Sequence, residues 1–230
     1  MGNVLHEGLV QLALGSDSSN DCPKLESQME TYIAELKRVN AQFDLINTDD
    51  HDEIAIRHIL DSLSAVSVLK ELIAERKDSA PNFIIADIGT GPGLPGIPLA
   101  CAFPHIKLIL VERMEKRCAF MKNCIALLGL QNVTIENDQA ERLAQNRFDI
   151  AVFRAFRPLD KKMTHVLRRI LKPNGVLAAY KAKKDKIEEE MESLAANKPE
   201  YEVRPLTVPF LTVNPPDGEV HERNLVVIKK

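Results

Sequence analysis

Apolar residues recur at helical spacing through the first third of the chain. Leu25, Met29, Tyr32, Ile33, Leu36 and Phe43 share one face of a helical repeat that follows start signals at Asp21 and Pro23. A second amphipathic run carries Ile56, Ile59, Leu60, Leu63 and Val66 and fades at ERKDSAPN (75–82). Residues 1–80 therefore read as an N-terminal helical extension, too small to close a large core alone and expected to pack on the remainder of the chain.

From Phe83 the pattern changes. FIIADIG (83–89) is a short apolar strand ending in glycine, and GIPLACAF (96–103) follows as a helix. IKLILVE (106–112), VTIEND (133–138), FDIAVFRA (148–155) and GVLAAYKA (175–182) predict further strands. Between them, EKRCAFMKNCIALLGL stops near Gly129 as a helix C-cap should, and LDKKMTHVLRRIL ends before the turn KPNG. After the polar-faced helix KDKIEEEMESLAAN, two strand-like runs, YEVRPLTV and ERNLVVIKK, are joined only by a stretch rich in turn formers, NPPDGEVH. Alternating strands and helices predict an α/β domain over 81–230. Its sheet would be Rossmann-like, seven-stranded and mostly parallel, with helices on both faces and an antiparallel strand pair at one edge.

Composition narrows the setting without identifying a function. The 230 residues carry a formal charge of −3, 45% hydrophobic and 27% charged residues, so any nucleic-acid binding must come from a local basic patch. The cysteines (22, 101, 118 and 124) show no C-x-x-C spacing, which predicts reduced thiols and no metal site. Leu5–Leu14 is broken by polar residues and no apolar run reaches membrane length. A cytoplasmic protein without a membrane partner is expected.

The chemistry concentrates in ADIGTGPGLPGIPLA (86–100). Gly91–Gly96 satisfies G-x-G-x-x-G, a dinucleotide pattern, and Asp87–Gly93 satisfies D-x-G-x-G-x-G, a pattern for S-adenosylmethionine. The loop follows a strand and opens a helix, and Glu112 ends the next strand about twenty residues on, where it can accept hydrogen bonds from ribose hydroxyls. A pyrophosphate needs free backbone N–H groups. Pro92, Pro95 and Pro98 have none, and the Asp87 carboxylate would repel it. The ammonium and sulfonium of S-adenosylmethionine suit a nearby carboxylate, so the loop favours that cofactor.

The terminal strand pair is typical of class I methyltransferases, which residues 81–230 resemble. A closer resemblance is to the bacterial RsmG (GidB) family. It rests on RHILDSL (57–63), DIGTGPGLPGIPLA, VERMEKRCAFM, FDIAVFRAFRPL, GVLAAYKA and ERNLVVIKK, from about Val39 to the C-terminus. The resemblance implies methylation of N7 of a guanine in 16S ribosomal RNA of the small subunit, with S-adenosylmethionine as cofactor. Besides Asp87, Gly91 and Gly93 of the glycine pattern, it implies cofactor contacts at Gly89 and Leu94, at Ala140 and Glu141, and at Arg154, with Glu112 as the class-wide ribose-binding acid. Three departures touch the pocket or its support: Phe153 where the family usually has serine, Ala182 where it has glycine, and Val39 where a tryptophan is common.

Basic residues supply candidate RNA contacts. Arg57 and His58 face either solvent or the cleft, and Asp61 is a ready intrahelical partner for Arg57. Arg113, Lys116 and Arg117, then Arg157, Lys161 and Lys162, then Lys181, Lys183 and Lys184 each leave a strand C-terminus. Each cluster alone is an ordinary solvated face, but parallel topology would gather all three on one rim able to contact phosphates. Guanine N7 carries a free lone pair, so no general base is nominated. A monomeric, metal-free enzyme is expected. The rival readings are a class I methyltransferase for a small molecule or another RNA, a nicotinamide-dependent oxidoreductase and a non-catalytic RNA-binding module.

Overall fold

The computed structural model describes residues 3–14, 22–76 and 82–230. The start signal at Asp21 and residues 77–81 of the fading stretch lie outside the described residues. Helices α1 (Val4–Gln11) and α2 (Cys22–Phe43) lead the chain. The second amphipathic run is not one helix: α3 (His51–Ile54) passes into a wider π-helical turn (Ala55–Leu60), then α4 (Asp61–Leu63) and α5 (Val66–Ala74). Such π turns are uncommon and concentrate at functional sites; this one carries Arg57 and His58.

Strands and helices then alternate: β1 (Ile84–Ile88), α6 (Gly96–Ala102), β2 (Lys107–Val111), α7 (Glu115–Leu127), β3 (Val133–Glu136), β4 (Phe148–Arg154), α8 (Lys161–Ile170), β5 (Leu171–Lys181), α9 (Lys184–Ser193), β6 (Tyr201–Pro205) and β7 (Asn224–Lys229). They form one seven-stranded sheet in the order β3-β2-β1-β4-β5-β7-β6. Strands β1 to β5 are mutually parallel, and β7 runs antiparallel to both β5 and β6. The class I methyltransferase arrangement expected from the sequence is thus present, with two differences of detail.

The terminal strands form the expected antiparallel pair at one edge of the sheet, but no tight turn joins them. The last strand inserts between β5 and β6, and the irregular chain over 206–223 makes the connection. Burial explains the order. Five of the six residues of β7 are buried, which suits an interior position, whereas no residue of β6 is buried and the strand ends at Pro205, which has no ladder donor to lose at an edge. The other difference is in β5, which begins at Leu171 and takes in KPNG, with a register shift against β4 between Phe148 and Ile150.

Two buried clusters cover the faces of the sheet. Leu5, Tyr32, Ile59 and Leu69 join Ile85, Leu110 and Val152 in one, so the N-terminal helices and one sheet face share a core. The other packs Met163 and Leu167 of α8 and Ile187 of α9 on Ala86, Ile88 and Phe153. Alternation along β1 separates them: Ile85 serves the first cluster, Ala86 and Ile88 the second. Among the described residues no helix is long and apolar enough to cross a membrane.

Candidate functional site

The loop after β1 is built by hydrogen bonds that consume its own amides. Gly89 and Thr90 donate to Val111 O (2.9 and 3.1 Å), Gly91 N donates to Glu112 Oε2 (3.0 Å), and Gly93 and Leu94 both donate to Thr90 O (3.0 and 2.9 Å). Gly96 N donates to Asp87 Oδ2 (2.7 Å) and Ile97 N to Gly93 O (2.7 Å). Pro92 and Pro95 have no N–H. From residue 89 to residue 97, every backbone donor is therefore already committed, and none is free for a phosphate. A loop with no free amide is unsuited to the pyrophosphate of a dinucleotide.

Two carboxylates organise the turn. Asp87 is fully buried; its Oδ2 accepts from Thr90 Oγ1 (2.6 Å) and Gly96 N, while Oδ1 has no partner among the described residues. Burial pushes its pKa up to about 7 against the pull of those two hydrogen bonds. Glu112, past the end of β2, accepts from Gly91 N through Oε2 and from Met114 N through Oε1 (2.8 Å), with Arg117 Nη1 at 3.9 Å. The N-terminal helices reach the same loop, because the buried Tyr32 hydroxyl donates to Pro92 O at 2.9 Å.

Among the clefts that open at the C-terminal ends of the strands, where doubly wound sheets bind ligands, two adjoin each other beside the glycine loop and the end of β4. The first, about 180 Å³, is lined by Gly89, Glu112, Arg113, Arg117, Ala140 and Glu141, together with Phe156 and Arg157. The second, about 630 Å³, is lined by Arg57, His58, Arg154 and Lys181, with Asp61 and Arg223. Ala155, Phe156 and Arg157 border both.

The residues singled out by sequence divide between these clefts. Gly89, Glu112, Ala140 and Glu141 come together on the first. Arg113 and Arg117, read as RNA contacts, also lie there rather than on the wider cleft. Arg154, read as a cofactor contact, lies on the second, where Nη1 donates to Asp61 Oδ2 (2.7 Å) and to Arg57 O (3.2 Å). Asp87, Gly93 and Leu94 lie inward: a Cβ on Gly93 would meet Ile97 and the Tyr32 hydroxyl, and Leu94 belongs to the core. Gly91 has φ +63° and open space, with Arg117 Nη1 nearest at 3.9 Å.

Several pairings differ from expectation. Asp61 does not pair with Arg57, which instead meets Glu53 (3.2 Å); Asp61 holds Arg154 and Arg223. Arg157 pairs with Glu141 (2.9 Å) and Lys181 with Glu190 (2.7 Å). His58 carries a pKa lowered to about 4, first by burial and then by the Arg154 charge, so it is neutral at ordinary pH. Phe153 is buried edge-on to Phe156, Val39 is buried in the first cluster, and Ala182 O accepts from Asn224 Nδ2 (2.6 Å). Among the described residues no group of three or more His, Cys, Asp or Glu is placed to hold a metal.

Three residues at the site, Tyr32, Phe156 and Arg223, carry no distinguishing signal in the sequence. Tyr32 looked like one more apolar position on a helical face. Phe156 and Arg223 stood inside the motifs FDIAVFRAFRPL and ERNLVVIKK, where their neighbours carried the stronger signals.

Comparison with known proteins points the same way. Residues 25–216 match the GidB family, described as rRNA small subunit methyltransferase G. Ribosomal RNA small subunit methyltransferase G of Treponema denticola is 39% identical over 99% of this chain and 94% of its own length. The protein of the same name from Stenotrophomonas maltophilia is 35% identical over 98% and 93%. Among solved structures, a SAM-dependent methyltransferase from Aquifex aeolicus superposes with a TM-score of 0.52 at 17% identity, over 86% of this chain and 97% of that one, a likeness of fold.

Proposed function

This chain belongs to the GidB family of small-subunit rRNA methyltransferases, and from that premise we propose that it transfers a methyl group from S-adenosylmethionine to N7 of a guanine in 16S ribosomal RNA. The observation that carries the cofactor reading is the saturated glycine loop. It offers no amide to a phosphate, yet it sets a buried carboxylate with an unpartnered oxygen, Asp87 Oδ1, beneath the turn and a second carboxylate, Glu112, at the wall of the first cleft. A cationic, phosphate-free nucleoside fits that donor set.

When bound, S-adenosylmethionine supplies an electrophilic methyl on a sulfonium. Gly91 would give its body close approach to the backbone, Gly89 would line its cleft beside the Phe156 ring, Glu112 would hold ribose hydroxyls, and Ala140 and Glu141 would border the base. Asp87 would act from below, through charge and by fixing Thr90 and Gly96. Guanine N7 presents a lone pair, so this chain needs neither a general base nor a metal to expose the nucleophile. Its task is to align the acceptor with the methyl, a proximity effect. The second cleft suits the acceptor: it adjoins the first, and its lining sets the cationic side chains of Arg57, Arg154, Arg157, Lys181 and Arg223 against only two acids, Asp61 and Glu190. The enzyme is taken to work as a monomer.

The test is methyl transfer from labelled S-adenosylmethionine to small ribosomal subunits, with mapping of the modified base. Label on a guanine N7 of 16S RNA is the expected result. Cofactor binding without any label in ribosomal RNA would retain the methyltransferase fold and remove the substrate.

A further inference from the structure

Methyl transfer requires the reacting atoms to come within about 3–3.5 Å in line, so donor and acceptor must meet where the two clefts adjoin. The border is a tripeptide, Ala155-Phe156-Arg157. Ala155 sits in the left-handed region at φ +49°, a conformation that non-glycine residues adopt at some strain. There the chain turns out of β4, and the Phe156 ring lies back over the glycine loop.

The contacts there are close. A Cβ on Gly89 would lie 2.0 Å from Phe156 Cδ2, so the ring rests on the bare backbone of a residue that must be glycine both for φ (+70°) and for space. Phe153 meets the ring edge-on, with centroids 6.4 Å apart and planes at 67°. The planar Arg157 guanidinium lies over the face of this half-buried ring, 5.4 Å from its centroid, and is itself tethered to Glu141, so a base stacking on that face takes the guanidinium's place. Of the three border residues, Phe156 alone presents an aromatic surface.

We propose that Phe156 is the base-contacting residue of the acceptor cleft, the ring against which the target guanine stacks as its N7 meets the methyl group. The proposal rests on the guanine-N7 reading of the function. Two physical terms favour it. Stacking on an aromatic side chain holds a purine plane without hydrogen bonds and so leaves N7 unencumbered. The guanine also gains positive charge as the N7–C bond forms and the C–S bond breaks, and an aromatic face attracts a cation more than a neutral ring. That contact is stronger in the transition state than in the ground state, which is what accelerates a chemical step.

The experiment compares Phe156→Ala, Phe156→Leu and Phe156→Tyr in three assays. These are calorimetric binding of S-adenosylmethionine, steady-state methylation of small subunits, and quenching of the intrinsic fluorescence of 7-methylguanosine by the protein with S-adenosylhomocysteine present. Phe156→Ala and Phe156→Leu are expected to bind cofactor within about threefold of the parent, to lose about tenfold or more in kcat/KM, and to lose the quenching. Phe156→Tyr should retain all three. If Phe156→Leu methylates and quenches like the parent, the ring is only packing and the proposal is overturned. It is equally overturned if Phe156→Ala loses cofactor affinity in step with activity, because the ring then belongs to the cofactor wall. A parent protein that binds cofactor but methylates no ribosomal RNA would instead remove the functional reading, an outcome separable from either.

Discussion

Asp61 Oδ2 accepts a hydrogen bond from Arg154 Nη1 at 2.7 Å, and this single contact ties the helical segment of RHILDSL to the end of β4. The other oxygen of the same buried carboxylate faces Arg223 Nε at 3.2 Å, adding the last strand's approach to the cluster. Three distant parts of the chain thus converge on one group that is only 5% exposed.

Removing that charge leaves two guanidinium groups without their partner. Asp61→Asn is expected to lower stability by about 3–5 kcal/mol, the usual range when one side of a buried ion pair is deleted. It should also depress methylation, because Arg154 loses its anchor at the second cleft. Urea unfolding beside a methylation assay checks both, and an unchanged midpoint would show that the cluster contributes nothing net.

Tyr32 supports the cofactor loop from outside the α/β region. Burial holds its hydroxyl well above the usual tyrosine range, so it remains a donor to Pro92 O. Tyr32→Phe keeps the ring and leaves that carbonyl unpaired, at a cost of about 1–3 kcal/mol. Cofactor affinity measured by calorimetry should fall several-fold. A lower Tm with unaltered affinity would confine the bond to a structural role.

Gly91→Val should separate folding from binding. The positive φ makes the valine strained by roughly 1–2 kcal/mol, but nothing in the core is struck, since the nearest atom to a Cβ is Arg117 Nη1 at 3.9 Å. The variant is expected to fold and to lose S-adenosylmethionine affinity at least tenfold. Normal binding would move the cofactor off this loop.

Two buried groups give opposite pH dependences. His58 has a folded value of about 4, below its ordinary 6.5, so the stability linked to it is complete above pH 6.5 and is lost as pH falls towards 4. Asp87 has a folded value of about 7, above its ordinary 3.8, so its contribution is complete below 3.8 and is lost as pH rises through 7. The two partly cancel in the parent protein. Asp87→Asn should unmask a stability that climbs with pH between about 4 and 6.5, and His58→Gln one that declines towards 7, both read from denaturant midpoints across that range.

The division of basic residues between the clefts is readable from salt dependence. If Arg57 meets an RNA phosphate, Arg57→Ala should reduce the slope of log K for small-subunit binding against log salt by about 0.7–0.9. Arg113→Ala, on the first cleft, should leave the slope alone and weaken cofactor binding instead. Equal changes in slope would put both on the RNA path.

Much of the molecule was legible in the order of its residues. Period-2 and period-3.6 patterns identified the alternating strands and helices, since burial on a sheet or helix face acts directly on spacing along the chain. The glycine loop was recognisable because tight turns and missing N–H groups are properties of residue type, and Asp87 and Glu112 lie at fixed offsets from it. The π-helical turn at Ala55–Leu60 was not legible, because a one-residue widening leaves the apolar spacing nearly unchanged. Nor was the strand order β5-β7-β6, since two successive extended runs look the same whether the second lies at the edge or inside.

The sequence by itself determined the alternation of strands and helices, the parallel sheet and a loop suited to a cationic nucleoside, because each of these is written in local spacing and residue chemistry. Only the tertiary structure decided which charges meet. It took Asp61 from its helical neighbour Arg57 and gave it to Arg154 and Arg223, set Arg113 and Arg117 on one cleft and Arg154 on the other, and laid Phe156 across Gly89. Ion pairing and steric contact depend on distance in space, and here residues up to 162 positions apart along the chain lie within hydrogen-bonding reach.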